Sequence, residues 1–185
     1  IPADHSINLT DKEKRQIEET FEIPKRVIEI ISRNTLRTAE IIKRIKSLVN
    51  EEEKISVIVF CPNLESSKLI NIFLQFDGIK SEHIDGATPI PQRESIIQSF
   101  KENDINVLCN YEVLSTGFDA PKTDCVFVAR PTLSAVLYSQ MIGRGLRGPK
   151  LGGTRHCHVV TVKDNLINLP QFDQIYNSFD AYWDK

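Results

Sequence analysis

The chain has 185 residues, of which 41% are hydrophobic and 26% are charged, and its formal net charge is −2. This profile is typical of an ordinary soluble domain with one core, and the near-neutral charge does not by itself indicate a nucleic-acid partner. No apolar run approaches the roughly 20 residues of a membrane span and no signal-peptide pattern occurs, so we expect no membrane partner and a cytoplasmic location. The chain begins at Ile1 rather than methionine, which we interpret as the start of a piece of a longer protein.

Four cysteines occur in apolar stretches without any C-x-x-C pair: Cys61, Cys109, Cys125 and Cys157. This usage predicts free thiols in a reducing compartment. His156 and His158 flank Cys157, but in a strand both histidines share one face and no other ligand cluster is visible. We therefore expect no metal site built by this chain alone.

Residues 1–53 are predicted to form a helical linker or extension. The stretch from Thr10 to Glu13 fits a capping box that opens a polar helix running to about Phe21. Pro24 interrupts it, and apolar residues at helical spacing then predict an amphipathic helix over about 35–50.

From Ser56 onward, short apolar runs alternate with helical patterns, which predicts a parallel sheet flanked by helices in one α/β domain, residues 54–168. The expected strands are Ser56–Cys61, Glu82–Ile84, Asn106–Cys109, Cys125–Ala129 and His158–Val162. Residues 169–185 carry aromatic residues at helical spacing, which favours a C-terminal helix that packs on the domain over a base-stacking platform.

A crowded pair of arginines marks the last predicted helix of the domain, about Ser134 to Arg147. Gln140, Arg144 and Arg147 stand at i, i+4 and i+7, so one helix face would carry all three. The two guanidinium groups repel each other unless a multiply charged anion such as a phosphate lies between them. Gly143 and Gly145 weaken the helix, which suggests close approach of another backbone or a ligand. The alternative is a frayed helix end that stops at Gly148.

The second signal is the run from Val107 to Pro121, where a strand leads into a loop. Asp119 could accept hydrogen bonds from ribose hydroxyls, while Thr116 or loop N–H groups could bind a backbone phosphate. Gly117 permits unusual backbone angles in this loop. The alternative is a plain turn in which Asp119 bonds its own backbone.

Taken together, these two segments resemble known motifs. The stretch Gly117-Phe118-Asp119-Ala120-Pro121, followed about twenty residues later by Q-x-x-G-R-x-x-R from Gln140 to Arg147, resembles motifs V and VI of superfamily-2 helicases. The run from Val57 to Asn63 looks like motif IV, and Asp85-Gly86-Ala87 with Arg93 and Phe100 looks like the segment between them. The residues of these motifs most closely resemble those of DNA repair helicases and type III restriction translocating subunits.

The resemblance implies a RecA-like domain, the C-terminal half of an ATP-dependent DNA helicase or translocase motor, with ATP in the cleft between two such domains. Arg144 and Arg147 would act as arginine fingers on the γ-phosphate, with Gln140 on the same face. Gly117 and Asp119 would lie near the ribose. The residues expected toward the nucleic-acid backbone are Asn63, Asn110 and Thr116.

Two departures from the family pattern bear on the nucleic acid. DEAD-box RNA helicases begin motif VI with histidine where this chain has Gln140, and their motif V threonine aligns with Tyr111. DNA is therefore favoured over RNA as the partner.

Half of the expected ATP site is missing from the sequence. No G-x-x-x-x-G-K-[ST] phosphate loop and no Asp-Glu pair for Mg²⁺ occur. We therefore expect an N-terminal RecA-like domain of the same protein to bind ATP and Mg²⁺ with this one, and the isolated chain to be inactive. The alternative is a nucleic-acid-binding module of the same fold without hydrolysis. A small-molecule α/β enzyme is a weaker option, because no nucleophile–base pair or dinucleotide fingerprint is found.

Overall fold

The computed structural model describes residues 2–51, 54–114, 122–146, 153–154 and 156–167. Helices and short strands alternate over most of this span. In chain order the elements are β1 (Pro2–Asn8), α1 (Asp11–Thr20), α2 (Lys25–Arg33), α3 (Thr35–Glu51), β2 (Val57–Phe60), α4 (Leu64–Phe76), β3 (Ser81–Ile84), α5 (Ile90–Lys101), β4 (Val107–Asn110), β5 (Cys125–Val128), α6 (Ala135–Ile142), β6 (His158–Thr161) and β7 (Lys163–Ile167).

Five of the strands form one parallel sheet in the order β3-β4-β2-β5-β6. The three central strands are buried at every position, which explains why their sequences are continuous apolar runs, apart from Asn110 at the end of β4, rather than alternating ones. The predicted α/β class and parallel sheet are confirmed, and each of the five strands lies within a residue of its expected bounds.

Helices cover both faces of this sheet because successive strand residues point to opposite sides. Ile58 and Phe60 belong to a core that they share with residues of α1, α2, α5 and α6. Val57 and Val59 belong to a second core, on the side of α3 and α4. The N-terminal helices therefore pack on the sheet.

The first strand departs from the prediction. Helices α1 and α3 form as expected, whereas α2 and the strand β1, which pairs in parallel with β7, are additions to the predicted helical segment 1–53. Ile7 and Leu9 are buried while Ser6 and Asn8 are exposed, which is the two-residue period of a strand. The run is too short for that period to stand out, and its partner strand comes near the other end of the chain.

The predicted capping box at the start of α1 is confirmed. Thr10 Oγ1 accepts a hydrogen bond from the Glu13 N–H at 3.3 Å, and the Glu13 carboxylate accepts one from the Thr10 N–H at 2.8 Å. Arg26 of α2 donates to both oxygens of the same carboxylate at 2.6 and 2.7 Å. The contact with Arg26 lowers the pKa of Glu13 to about 2 and joins α1 to α2.

A buried ion pair joins α3 to β7. Arg37 Nε donates to one carboxylate oxygen of Asp164 at 2.7 Å, and a terminal nitrogen donates to the other at 2.9 Å. The same terminal nitrogen donates to the carbonyl oxygen of Ala129, just past β5, at 2.7 Å. Both charged side chains are almost fully shielded from solvent. The small β1–β7 sheet is thereby attached to the main domain.

Two further sequence predictions concern membrane spans and the C-terminal segment. In the part of the chain that the structure describes, no helix has the length and apolar character needed to cross a membrane. The predicted C-terminal helix at 169–185 lies outside the described residues.

Candidate functional site

Helix α6 carries part of the predicted arginine motif. Ser134 caps its first turn by accepting a hydrogen bond from the Leu137 N–H at 3.2 Å, and the Tyr138 hydroxyl lies 3.0 Å from Thr161 Oγ1 of β6. The helix ends at Ile142, so the expected extension to Arg147 is wrong, at least as far as residue 146. The two weak helix formers Gly143 and Gly145 account for the early end.

Arg144 lies in a tight turn directly after α6. Its N–H donates to the Met141 carbonyl at 3.2 Å, and the Gly145 N–H donates to the Ile142 carbonyl at 3.0 Å. These three-residue spacings continue the helix as a narrower turn. Gln140 is exposed on the last turn of α6, and Arg144 is half-buried beside it. Burial lowers the pKa of the Arg144 guanidinium. Gln140 and Arg144 are thus brought to one end of α6, while Arg147 lies outside the described residues.

Gly145 is where this turn meets the sheet. A Cβ atom at this position would lie 2.0 Å from Cys157 Sγ and 2.9 Å from a methyl carbon of Val126 in β5. The close approach inferred for the glycines is therefore present at both: the neighbours are side chains at Gly145, whereas a Cβ at Gly143 would lie 2.9 Å from the backbone oxygen of Ser139. The Gly145 contact sets the distance between the turn that carries Arg144 and the strands β5 and β6.

The Gly145→Ala variant is expected to lower the free energy of unfolding by about 1–3 kcal/mol, because the added methyl overlaps Cys157 and Val126. Adding Cys157→Ala should recover part of the loss by removing the sulfur. Denaturant unfolding followed by circular dichroism would measure both. The matched control is Gly86→Ala, where a Cβ would meet nothing within 4 Å. Equal losses for Gly145→Ala and Gly86→Ala would contradict the packing argument.

The other end of α6 borders a groove of about 580 Å³ at the carboxyl ends of β2, β4 and β5. Asn63, Tyr111 and Arg130 each follow one of these strands closely and line the groove. Ser134, at the start of α6, lines it as well, and the segment that joins α1 to α2 forms the other wall. Parallel α/β sheets commonly place ligands at this edge.

Tyr111, Glu112 and Arg130 form one cluster in the groove. The Arg130 guanidinium lies over the Tyr111 ring, 5.5 Å from its centroid, and 3.6 Å from a carboxylate oxygen of Glu112. Glu112 has a positive φ of 63°, so the chain turns sharply after β4 and turns its carboxylate toward Arg130. Burial first, and then Glu112, raises the pKa of the Tyr111 hydroxyl.

Asn63 and Asn110, both predicted to face nucleic acid, occupy different environments. The Asn63 side-chain oxygen caps α4 by accepting a hydrogen bond from the Ser66 N–H at 2.8 Å. Its amide nitrogen makes no hydrogen bond to the described residues and remains available as a donor in the groove. Asn110 is fully buried: its nitrogen donates to the Val59 carbonyl at 2.9 Å, and its oxygen accepts from the Leu114 N–H at 3.4 Å.

A side-chain contact of Asn110 with nucleic acid is therefore incompatible with its burial, which corrects that prediction. Asn110 instead shapes the loop that follows β4. Thr116, Gly117 and Asp119, the other predicted residues of that loop, lie outside the described residues. Arg130 was missed, although its position two residues beyond a buried strand is the signal that drew attention to Asn63.

Asp85 organises the turn after β3, in the segment that resembles the link between motifs IV and V. One carboxylate oxygen accepts hydrogen bonds from the N–H groups of Ala87 and Thr88 at 2.8 and 2.9 Å. The other lies 3.1 Å from His83 Nε2, and His83 Nδ1 lies 2.7 Å from Ser67 Oγ of α4. Arg93 donates to the Asp85 carbonyl at 3.0 Å. This network attaches the turn to α4 and α5.

Acid is expected to weaken the fold through Asp85. Burial raises the pKa of this carboxyl, but hydrogen bonds from His83, Thr88 and backbone N–H groups outweigh it and lower the pKa to about 2, from an ordinary value of 3.8. A depressed folded-state pKa stabilises the fold above the unfolded value, and that contribution is lost as pH falls from about 4 toward 2. Urea midpoints across this range should fall less steeply for Asp85→Asn than for the parent. Parallel curves would contradict the assignment, since Glu13 titrates equally in both proteins.

Comparison with known proteins places this fold and motif set in a family. Residues 40–148 match the family described as helicase conserved C-terminal domain. Proteins named as ATP-dependent helicases, IRC3 of Saccharomyces cerevisiae and irc3 of Schizosaccharomyces pombe, are 32% and 37% identical over 129 and 120 residues. These alignments cover 69% and 64% of this chain but 18% and 19% of the relatives. The chain thus spans about a fifth of the length of the curated relatives that it matches.

Solved structures share the fold. The helicase domain of Pyrococcus furiosus Hef superposes with a TM-score of 0.56 at 24% identity, over 77% of this chain and 28% of that one. The Escherichia coli DEAD-box protein SrmB superposes with a TM-score of 0.60 at 24% identity, over 69% and 72%. The sheet order, the motif spacing and the family match agree, and the chain belongs to the family of helicase conserved C-terminal domains.

Proposed function

We propose that this chain is the C-terminal motor domain of an ATP-dependent DNA helicase or translocase, in which Arg144 and Arg147 complete the ATP site. The observation that carries the proposal is the way in which the surrounding backbone holds Arg144 in place. Its turn is attached to α6 by backbone hydrogen bonds and to the sheet by the Gly145 contact. Phosphoryl transfer depends on cations held in place before reaction, so a rigidly mounted arginine suits the role.

The half-buried setting of Arg144 favours a phosphate partner. Charge interactions strengthen where water is partly excluded, and a guanidinium fork matches phosphate oxygens. Gln140, exposed on the preceding turn, lies where it could contact the same nucleotide. Gly117 and Asp119 are proposed to lie near the ribose. The catalytic work of this domain would be to stabilise charge on the transferred phosphoryl group.

Mg²⁺ binding is assigned to the partner domain. Among the described residues, no group of three or more His, Cys, Asp or Glu side chains could hold a metal ion. The ligands would come from the N-terminal RecA-like domain, together with its phosphate loop. When bound, Mg²⁺ would neutralise charge on the phosphates, and this chain would add the arginines.

The two proposed tasks, contact with the nucleotide and contact with nucleic acid, are assigned to opposite ends of α6. Ser134 at its start lines the groove at the strand ends, whereas Arg144 lies ten residues on, about 15 Å away at the rise of an α-helix. Nucleic acid would contact the groove rim through the Asn63 amide, and Thr116 is proposed as a further contact. Three carboxylates and two cations line the groove itself (Glu22, Glu29 and Glu112 against Lys25 and Arg130), so the backbone is proposed to follow the rim rather than the interior.

DNA is proposed as the nucleic acid on the basis of two residues. Gln140 and Tyr111 depart from the histidine and threonine of DEAD-box RNA helicases. Family membership does not distinguish DNA from RNA as the partner, because relatives also include the RNA helicase DRS1 of Yarrowia lipolytica, at 26% identity over 68% of this chain.

The test uses a protein that carries both motor domains. Its ATP hydrolysis should be stimulated more by DNA than by RNA of the same sequence at one stated salt concentration. The isolated chain of residues 1–185 serves as the blank and should show no turnover. Stronger stimulation by RNA would overturn the choice of DNA. Turnover by the isolated chain that disappears in Arg144→Ala would overturn the two-domain ATP site, and a two-domain protein without any ATPase would favour the non-hydrolysing binding module.

A further inference from the structure

A second groove lies between α3 and α4. It neighbours the first one, because Ser66 in its lining donates its N–H to Asn63 of the first groove. The second groove has a volume of about 670 Å³, includes Ser32 and Arg33 of α2 in its lining, and is lined mainly by apolar atoms. Ala39 and Ile42 of α3 face Leu69 and Phe73 of α4 across it. The proposed ATPase does not use this groove.

The α4 wall continues as an apolar stripe on the protein surface. Leu69, Ile72, Phe73 and Phe76 recur at i, i+3, i+4 and i+7, and all four side chains are exposed, Phe76 by 87%. Leu36, at the start of α3, is exposed by 76%. Scattered apolar side chains are ordinary on a protein surface, but a contiguous helical stripe beside a groove marks a docking surface.

Basic side chains border the groove. Its charged residues are Arg33, Lys43 and Lys46 against the single acid Glu65. Lys43 is exposed by 78% and lies 3.7 Å from Glu40, and Lys46 is 2.9 Å from Asp77. An occupant with an apolar face and an acidic edge would complement both features of this surface.

The sequence of the 18 residues that follow β7 predicts an apolar face with an acidic edge. Six apolar residues stand at helical spacing: Phe172, Ile175, Tyr176, Phe179, Tyr182 and Trp183. Asp173, Asp180 and Asp184 stand at i, i+7 and i+11, which places them along one edge of that apolar stripe in a helix. Lys185 is the only basic residue of the segment.

The lengths agree. As a helix, Phe172 to Trp183 would span about 16 Å, and Thr35 to Lys46, the α3 wall of the groove, also spans about 16 Å. Asp164 of β7 is hydrogen-bonded to Arg37, next to Thr38 in the groove wall. Five residue steps lead from Ile167, the last residue of β7, to Phe172, and they reach up to about 17 Å when extended.

We propose that residues 169–185 dock as an amphipathic helix in the α3–α4 groove of the same chain, with the aromatic stripe on Leu69 and Phe73 and the aspartates toward Lys43 and Arg33. The surface that this docking covers is then closed to other proteins whenever the segment is bound. The proposal is independent of the ATPase activity.

Trp183 is the single tryptophan of the chain and reports on docking directly. In the chain of residues 1–185, its fluorescence should be blue-shifted and shielded from acrylamide. Phe73→Asp and Lys43→Glu should each shift the emission to the red and raise the quenching constant several-fold. Lys43 is highly exposed, so its substitution should leave the circular dichroism spectrum unchanged. Asp180→Lys added to Lys43→Glu should restore the shielding.

Ile90→Asp is the matched control, because Ile90 is an exposed apolar residue outside the groove, and it should change nothing. An exposed Trp183 in the parent would overturn the proposal. So would shielding that the groove variants do not alter, which would place the segment elsewhere. Shielding that disappears on dilution would show that the segment binds a second copy of the chain, and would equally overturn docking within one chain.

Discussion

Arg144→Ala, in a protein that carries both motor domains, is expected to lower the DNA-stimulated rate of ATP hydrolysis by about 10³-fold or more, the range for loss of an arginine finger. The affinity for DNA should remain within a few-fold of the parent, because Arg144 and the groove lie at opposite ends of α6. Steady-state ATPase assays and fluorescence anisotropy with labelled DNA would measure the two quantities.

Arg44→Ala is a suitable control, since Arg44 is a partly exposed arginine of α3 whose ion pair with Glu51 is 4.0 Å long. Both properties should be unchanged in that variant. Arg144→Lys keeps the charge but loses the planar fork, so an intermediate rate is expected. A fall in DNA affinity that accounts for the whole loss of ATPase would contradict the assignment, because it would place Arg144 on the nucleic acid rather than on the nucleotide.

Asp164→Ala is expected to lower the free energy of unfolding by about 3–5 kcal/mol, because it leaves the Arg37 guanidinium buried and charged without its carboxylate. Thermal or denaturant unfolding would measure the loss. Replacing both partners, as Arg37→Met with Asp164→Leu, should recover much of it, since an apolar pair needs no desolvated charge.

The exposed pair Lys46–Asp77 provides the comparison. Its nitrogen–oxygen distance of 2.9 Å is close to the 2.7 Å of the buried pair, but both side chains are at least 32% exposed. Asp77→Ala should therefore cost about 0–1 kcal/mol. Similar losses for the two aspartate variants would show that burial does not set the strength of the Arg37 pair.

The sequence predicted those parts of the fold whose cause is local. The β2 and β5 runs are apolar at every position, and β4 is apolar up to Asn110, because both faces are covered; that pattern is visible residue by residue. The capping box at Thr10 is likewise contained in four residues. Gln140 and Arg144 are four apart, so their proximity required little more than helical geometry.

The features that the sequence did not predict depend on partners distant along the chain. β1 is a strand because β7 pairs with it, and Arg37 is buried because Asp164 meets it. Asn110 looked accessible beside a loop, yet the Val59 carbonyl on the neighbouring strand holds it in the core. Gly145 was recognised as a site of close approach, but the identity of its neighbour, Cys157, required the sheet order.

The parallel pairing of β1 and β7 has a mechanical consequence. β1 begins at Pro2 and β7 ends at Ile167, so a pull between those two residues draws the strands in opposite directions along their common axis. The load then falls on the interstrand hydrogen bonds together, in shear, rather than opening them one after another as in peeling. The Arg37–Asp164 bonds attach the same small sheet to α3 and resist its sliding. The strand pair is therefore expected to resist a pull between Pro2 and Ile167 more strongly than it would resist peeling.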